Sequence, residues 1–115
     1  PAFRQPGNRT GTPMYMAPEI VRRRPTDRRV DVFAFGVSAY ELLAFQLPWP
    51  HADASGVGAL SHDTDKPVPI LEVRPKLDPT LAEAITECMA ANRDQRTPSL
   101  DVFLRRIRRV ESEEV

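Results

Sequence analysis

Disulfide bonding is the first thing this 115-residue sequence lacks the means for, since Cys88 is its one cysteine. No intrachain bridge can form, which fits a reducing compartment and gives the expectation of a cytoplasmic protein. An excess of charge is missing too. Sixteen basic and 16 acidic residues cancel, so nothing suggests binding to nucleic acid or another polyanion. No apolar run reaches the roughly 20 residues needed to span a bilayer, and no membrane segment is expected. The opening PAFRQPGNRT has neither the charged nor the apolar region of a signal peptide. It also has no initiator Met, an absence that trimming before proline and a truncated reading frame would leave alike. His51 and His62 stand 11 positions apart with no Cys or Glu at ligand spacing, which argues against a metal site. No alternating strand pattern, internal repeat or low-complexity tract is present.

What is present is helix and proline. The chain is 41% hydrophobic, enough for a core and too much for a disordered tail. Pro1, Pro6, Gly7, Gly11, Pro13 and Pro18 keep the first 18 residues out of regular structure. A helical turn is expected from about Pro18 to Arg23, ended by Pro25. Thr26 or Asp27 can cap a helix over roughly Asp27 to Ala44, whose DVFAFGVSAYELLA carries apolar residues on nearly every face. Such a helix belongs in a core. The Pro-rich turn FQLPWP follows, anchored by Trp49, then a weak helix around Ala54 to His62. DKPVPILEVRPKLDP reads as a second loop. Asp78 and Thr80 open a helix to about Ala91, with Leu81, Ile85, Cys88 and Met89 at helical spacing. Cys88 reads there as a small core residue. Pro98 and Ser99 open the last helix, with Leu100, Phe103, Leu104 and Ile107 as its apolar stripe. Two arginine clusters, Arg22 to Arg29 and Arg105 to Arg109, read as solvated faces.

The stretch GTPMYMAPE, Gly11 to Glu19, suits neither helix nor strand, with two Pro and two Met between a Gly and a Glu. It closely resembles the end of the activation segment of eukaryote-like (Hanks-type) serine/threonine protein kinases, Ala17-Pro18-Glu19 standing as the A-P-E element. DVFAFGVSAYELL is similar to the buried central helix of the kinase C-lobe, LPWP to the turn after it, and NRDQRTPSL to the Arg-containing stretch before the last helix. Order and spacing agree from Gly11 to about Val110. The fold class implied is mainly α, the helical C-lobe portion of the kinase fold without the N-lobe sheet and the catalytic loop. Residues 1–18 would be the end of the activation segment and the substrate-docking loop, 19–110 the helical remainder and 111–115 an acidic tail.

The resemblance assigns roles to individual residues. Thr12, Pro13, Met14, Tyr15 and Met16 would form the loop that receives the substrate residue after the phosphoacceptor, where fixed prolines and adaptable Met side chains are useful. Thr12 resembles the Ser/Thr-specific branch. Glu19 and Arg96 would make a buried ion pair tying the activation segment to the base of the lobe. Asp31 resembles the residue whose carboxylate accepts backbone N–H groups of the catalytic loop. Thr10 is a possible phosphosite, because phosphate there could recruit an Arg. Phe33 stands where many family members carry Trp, and Asp53 to Asp65 departs from the family's pattern.

Phosphoryl transfer by this family needs a phosphate cover, a Lys on the phosphates, a catalytic Asp and metal-holding Asp and Asn. Gly56-Val57-Gly58 is the one G-x-G, Lys66 and Lys76 sit beside prolines, and neither H-R-D nor D-F-G occurs. The expectation is therefore the C-terminal part of a serine/threonine kinase, with no catalytic residue and no cofactor of its own. ATP and Mg would belong to the full-length parent, and the partners would be a protein substrate and the kinase N-terminal portion. Phe33, Phe35, Tyr40, Leu42 and Leu43 on the central helix should leave one flank facing water without that portion, giving a marginal, aggregation-prone fragment. The alternative is a non-catalytic kinase-like lobe that serves as a protein-binding module.

Overall fold

The structure is a computed structural model that describes residues 13–50, 52 and 58–114, with backbone alone for 110–114. Thr10 and Thr12 lie outside the described residues, as does most of the segment around Ala54. Helices and turns connected by loops make up the described residues, and none of these is in a strand. A 3₁₀ turn at Pro13–Tyr15 leads into α1 (Pro18–Val21) and α2 (Arg29–Ala44). A second 3₁₀ turn, Gly58–Leu60, runs into α3 (Ser61–Thr64), followed by α4 (Ile70–Val73), α5 (Pro79–Cys88) and α6 (Leu100–Glu114).

Local chemistry sets most of the boundaries. Pro18 occupies the first turn of α1, where its fixed φ helps and its missing N–H costs nothing. That helix stops at Arg22, and Arg23 turns the chain at φ 57° while Arg24 N–H reaches back 2.8 Å to the Glu19 carbonyl. The Asp27 carboxylate accepts from the Arg29 amide at 2.9 Å, so α2 begins two residues later than its capping residue suggested. Asp78 caps α5 by accepting from the amides of Thr80 and Leu81 at 2.8 and 3.1 Å. Ser99 Oγ accepts from the Val102 amide in the first turn of α6.

Two further departures from expectation lie beyond α3. The proline-rich stretch after Asp65 contains α4, because five residues between Pro69 and Pro75 are free of proline and Ile70 is drawn into the core at 2% exposure. Helix α5 ends at Cys88 instead of Ala91. Its last amides tighten onto i−3 carbonyls, Met89 to Thr86 and Ala90 to Glu87, and the freed carbonyls of Ala90 and Ala91 accept from Arg96.

The core is built on α2, which packs on α5, which packs in turn on α6. Phe33, Val37 and Tyr40 supply the α2 side, Ala84, Ile85 and Cys88 the α5 side, and Phe103 the α6 side. Burial pushes the Cys88 thiol up to about 11, the behaviour of an inert core residue. Phe35 meets Phe103 edge-on at 5.0 Å. Tyr40 donates to the Val68 carbonyl at 2.6 Å, and Trp49 donates to that of Asp65 at 2.9 Å. Leu42, by contrast, is 74% exposed and Phe45 is 78% exposed, so burial of Leu42 is not realised and one flank of α2 faces water. The α6 stripe is also narrower than its spacing implied: Phe103 is buried, while Leu100 and Leu104 stay exposed.

Most arginines of the two clusters are exposed, as a solvated face requires, and three of them also pair with carboxylates. Arg22 forms a two-pronged bridge to Asp63, Arg29 pairs with Asp27 and Asp94, and Arg106 ties α6 to Glu83 and Glu87 of α5. Each is partly exposed, and such pairs contribute on the order of 0–1 kcal/mol.

Helices α2 and α5 meet most closely at Gly36. A Cβ there would lie 2.8 Å from both Cys88 Cβ and Met89 Cγ, and 3.2 Å from the Cys88 carbonyl carbon. Gly36→Ala should therefore destabilise the chain, an overpacking cost of about 1–3 kcal/mol outweighing a helix-propensity gain of about 1 kcal/mol. Urea denaturation measures it, and an unchanged midpoint would mean the helices can separate freely.

Candidate functional site

The segment Pro13 to Glu19 is held in place by three side chains from elsewhere in the fold. Its first turn closes on itself, with the Met16 amide donating to the Pro13 carbonyl at 3.1 Å. Pro13, Met14, Tyr15 and Met16 remain partly exposed, and the chain then dives under the surface at Ala17, Pro18 and Glu19. The turn is accessible and mostly apolar, and it rests on a buried footing.

Glu41 of α2 makes the first attachment. The Tyr15 hydroxyl donates to Glu41 Oε1. That hydrogen bond, with burial and the carboxylate's charge, raises the tyrosine pKa above its ordinary value. The sequence reading missed Glu41, although a signal existed, since it is the one charged residue between Val32 and Leu47.

His62 makes the second. Its imidazole is buried, stacked on Trp49 with ring centroids 4.4 Å apart and lying 5.5 Å from the Phe33 ring. Nδ1 stands 2.7 Å from the Met16 carbonyl oxygen. A carbonyl only accepts, so Nδ1 carries the proton and donates. Burial holds the His62 pKa below its ordinary value despite the Met16 hydrogen bond. Nothing in the local sequence announces this contact, which spans 46 positions.

The third attachment is the ion pair of Glu19 and Arg96, residues the sequence places 77 positions apart. Nη1 donates to Oε2 at 2.7 Å and Nη2 to Oε1 at 2.8 Å, with side-chain exposures of 0% for Arg96 and 5% for Glu19. The remaining donors go to carbonyls: Nη1 to Arg29 at 2.9 Å, Nε to Ala90 at 2.9 Å and Nη2 to Ala91 at 3.3 Å. All five guanidinium N–H groups are thus engaged. The Phe33 ring lies 5.2 Å beneath the guanidinium carbon. Burial pushes the Glu19 pKa up, but the Arg96 hydrogen bonds and charge outweigh it and hold the carboxyl below its usual range.

Asp31 is not gathered into this arrangement. It stands exposed on the first turn of α2, and no side-chain hydrogen bond joins it to another described residue. Lys66 and Lys76 are exposed in loops, and among the described residues no three His, Cys, Asp or Glu come together to hold a metal. These residues do not fit a site for ATP and Mg. No helix among the described residues is long and apolar enough to cross a membrane.

Two consequences are measurable. Glu19→Ala strands a buried guanidinium and should cost about 3–5 kcal/mol in urea denaturation; a loss below about 1 kcal/mol would mean that water reaches Arg96. Lowered folded-state pKa values mean that the unfolded chain binds more protons, so stability falls as pH falls. The His62 contribution should fade as pH drops below about 6.5, and that of Glu19 below about 4.5. Melting between about pH 7 and pH 5.5 should decline less in His62→Phe than in the parent, isolating the histidine.

Comparison with known proteins gives this geometry a context. A sequence model described as the protein kinase domain matches residues 4–105. The chain is 33% identical over 115 residues to the serine/threonine-protein kinase pkn3 of Myxococcus xanthus, covering 98% of this chain and 21% of that protein. It is 38% identical over 94 residues to the tyrosine-protein kinase MasK of the same species, covering 81% of this chain and 14% of that protein. The serine/threonine-protein kinase VIK of Arabidopsis thaliana is 35% identical over 96 residues, which cover 84% of this chain and 21% of VIK. The chain therefore spans about a fifth or less of the length of these curated relatives. With helices and no strand among its described residues, and aligned with kinases over most of its length, the chain belongs to the protein kinase domain family.

Proposed function

We propose that this chain is the C-terminal, substrate-docking part of a serine/threonine protein kinase and is inactive by itself. The observation that carries the proposal is the Pro13–Met16 turn, fixed to α2 through Tyr15 and Glu41, to the core through His62, and to the base of the helices through Glu19 and Arg96. A turn so braced can present Met14 and Met16 to an extended substrate without reshaping at each encounter, and preorganisation of this kind reduces the ordering cost of binding. Thr12 precedes that turn in G-T-P, and its hydroxyl supports Ser/Thr over Tyr as acceptor. Thr10 would be phosphorylated in the active kinase. ATP and Mg would be held by residues of the parent protein outside this chain, and its setting would be the cytoplasm.

The exposed flank of α2 favours one further reading. Leu42 and Phe45 offer an apolar surface, which the rest of a kinase domain would cover in the leading proposal and a separate protein would cover if the chain is a non-catalytic binding module.

The deciding experiment uses the full-length protein that contains this chain, with Mg-ATP and peptide libraries bearing Ser/Thr or Tyr as sole acceptor. Phosphate on Ser/Thr peptides, and on Thr10 by mass spectrometry, is the expected result. Transfer to Tyr alone would overturn the acceptor assignment, and no transfer at all would favour the binding module. Calorimetric titration of ATP into the isolated chain should release no binding heat.

A further inference from the structure

Resting on the docking role proposed above, we infer that His62 is a positioning residue for the substrate-docking turn, acting through the Met16 carbonyl. Met16 is the last accessible residue before the chain goes under at Ala17, so the direction of its peptide group sets where Met14 and Met16 point. Helix α1 makes no use of that carbonyl. The amides of Ile20 and Val21 both bond to Ala17, and Pro18 has no N–H to offer anything. The His62 Nδ1–H at 2.7 Å is the donor that satisfies it, and removing that donor costs the turn this hydrogen bond.

The imidazole is itself immobilised. Trp49 stacks on it with centroids 4.4 Å apart, Phe33 packs beside both rings, 5.5 Å from the imidazole and 6.0 Å from Trp49, and Trp49 is pinned through Nε1 to the Asp65 carbonyl at 2.9 Å. The docking turn is thus fixed to the turn after α2 and to the end of α3 through one ring. Other uses of a histidine do not fit its surroundings. It is 4% exposed, too buried to exchange protons with a bound peptide, and among the described residues no metal-holding cluster includes it. Its Nδ1 faces the backbone of the proposed docking element.

Two substitutions in the full-length kinase separate positioning from mere packing. His62→Phe keeps a flat ring against Trp49 and Phe33 and removes the donor. His62→Asn supplies an amide N–H in place of Nδ1 and gives up the stack. His62→Phe should raise the KM for a Ser/Thr peptide about tenfold, the scale of one lost hydrogen bond, with kcat and the KM for ATP near parental values. His62→Asn should recover most of that loss. A parental peptide KM in His62→Phe, or an equal defect in both variants accompanied by a lower melting temperature, would overturn the inference and leave His62 a packing residue. Nitrogen-15 NMR of the imidazole in the unsubstituted protein needs neither variant to fold and no turnover. An Nδ1–H tautomer is expected, and an Nε2–H tautomer overturns the inference. A full-length protein that transfers no phosphate while showing the Nδ1–H tautomer would refute the kinase reading, and with it a role for this contact in substrate docking.

Discussion

An arginine without water has five N–H groups to place, and the rest of this structure is arranged around where Arg96 places them. Two go to Glu19 and three to the carbonyls of Arg29, Ala90 and Ala91. Those acceptors belong to α1, to the first residue of α2 and to the segment just past α5. One planar group therefore fixes three pieces of chain that are far apart in sequence, and it does so at angles that a flexible point charge could not impose. Burying both charges is costly in itself. The complete set of partners, with the Phe33 ring below, is what makes the arrangement tolerable, and a partial set would leave a charge stranded.

The Pro13–Met16 turn is anchored through this clasp. Glu19 is anchored at its base, and only two residues separate it from Met16, whose carbonyl is held by His62. Tyr15 is held by Glu41 on the opposite side. Helix α2 thus supplies core residues from one set of positions and the Tyr15 acceptor from another, so its rotation about its own axis is fixed by packing and by a polar contact together. Gly36 adds a third restraint by letting α5 approach to a distance that no side chain would permit.

Much of this was legible in the sequence where the signal was local. Caps at Asp78 and Ser99, the buried character of the helix containing Phe33, and the A-P-E resemblance at Ala17 to Glu19 all rest on neighbouring residues. Helix ends were less legible, because α5 stops where Arg96, several residues ahead, claims its carbonyls. Helix α4 was hidden by the prolines on either side, whose usual meaning is loop, while the pull of Ile70 into the core is a tertiary effect. His62 and Glu41 were missed as site residues for the same reason. A histidine 46 positions from its acceptor leaves no periodic trace, and Glu41 was conspicuous only as a lone charge in an apolar run.

The bare flank of α2 also bears on the chain as a particle in solution. Leu42 and Phe45 are largely exposed, and the formal charges of the chain sum to zero at pH 7. Near neutrality there is little long-range repulsion to keep two such flanks apart. Colloidal stability should then be poorest near neutral pH, where the folded state is otherwise well supported, and should improve when the pH is moved to either side. The two demands conflict on the acid side, where added charge aids dispersal while the support from His62 and Glu19 is lost.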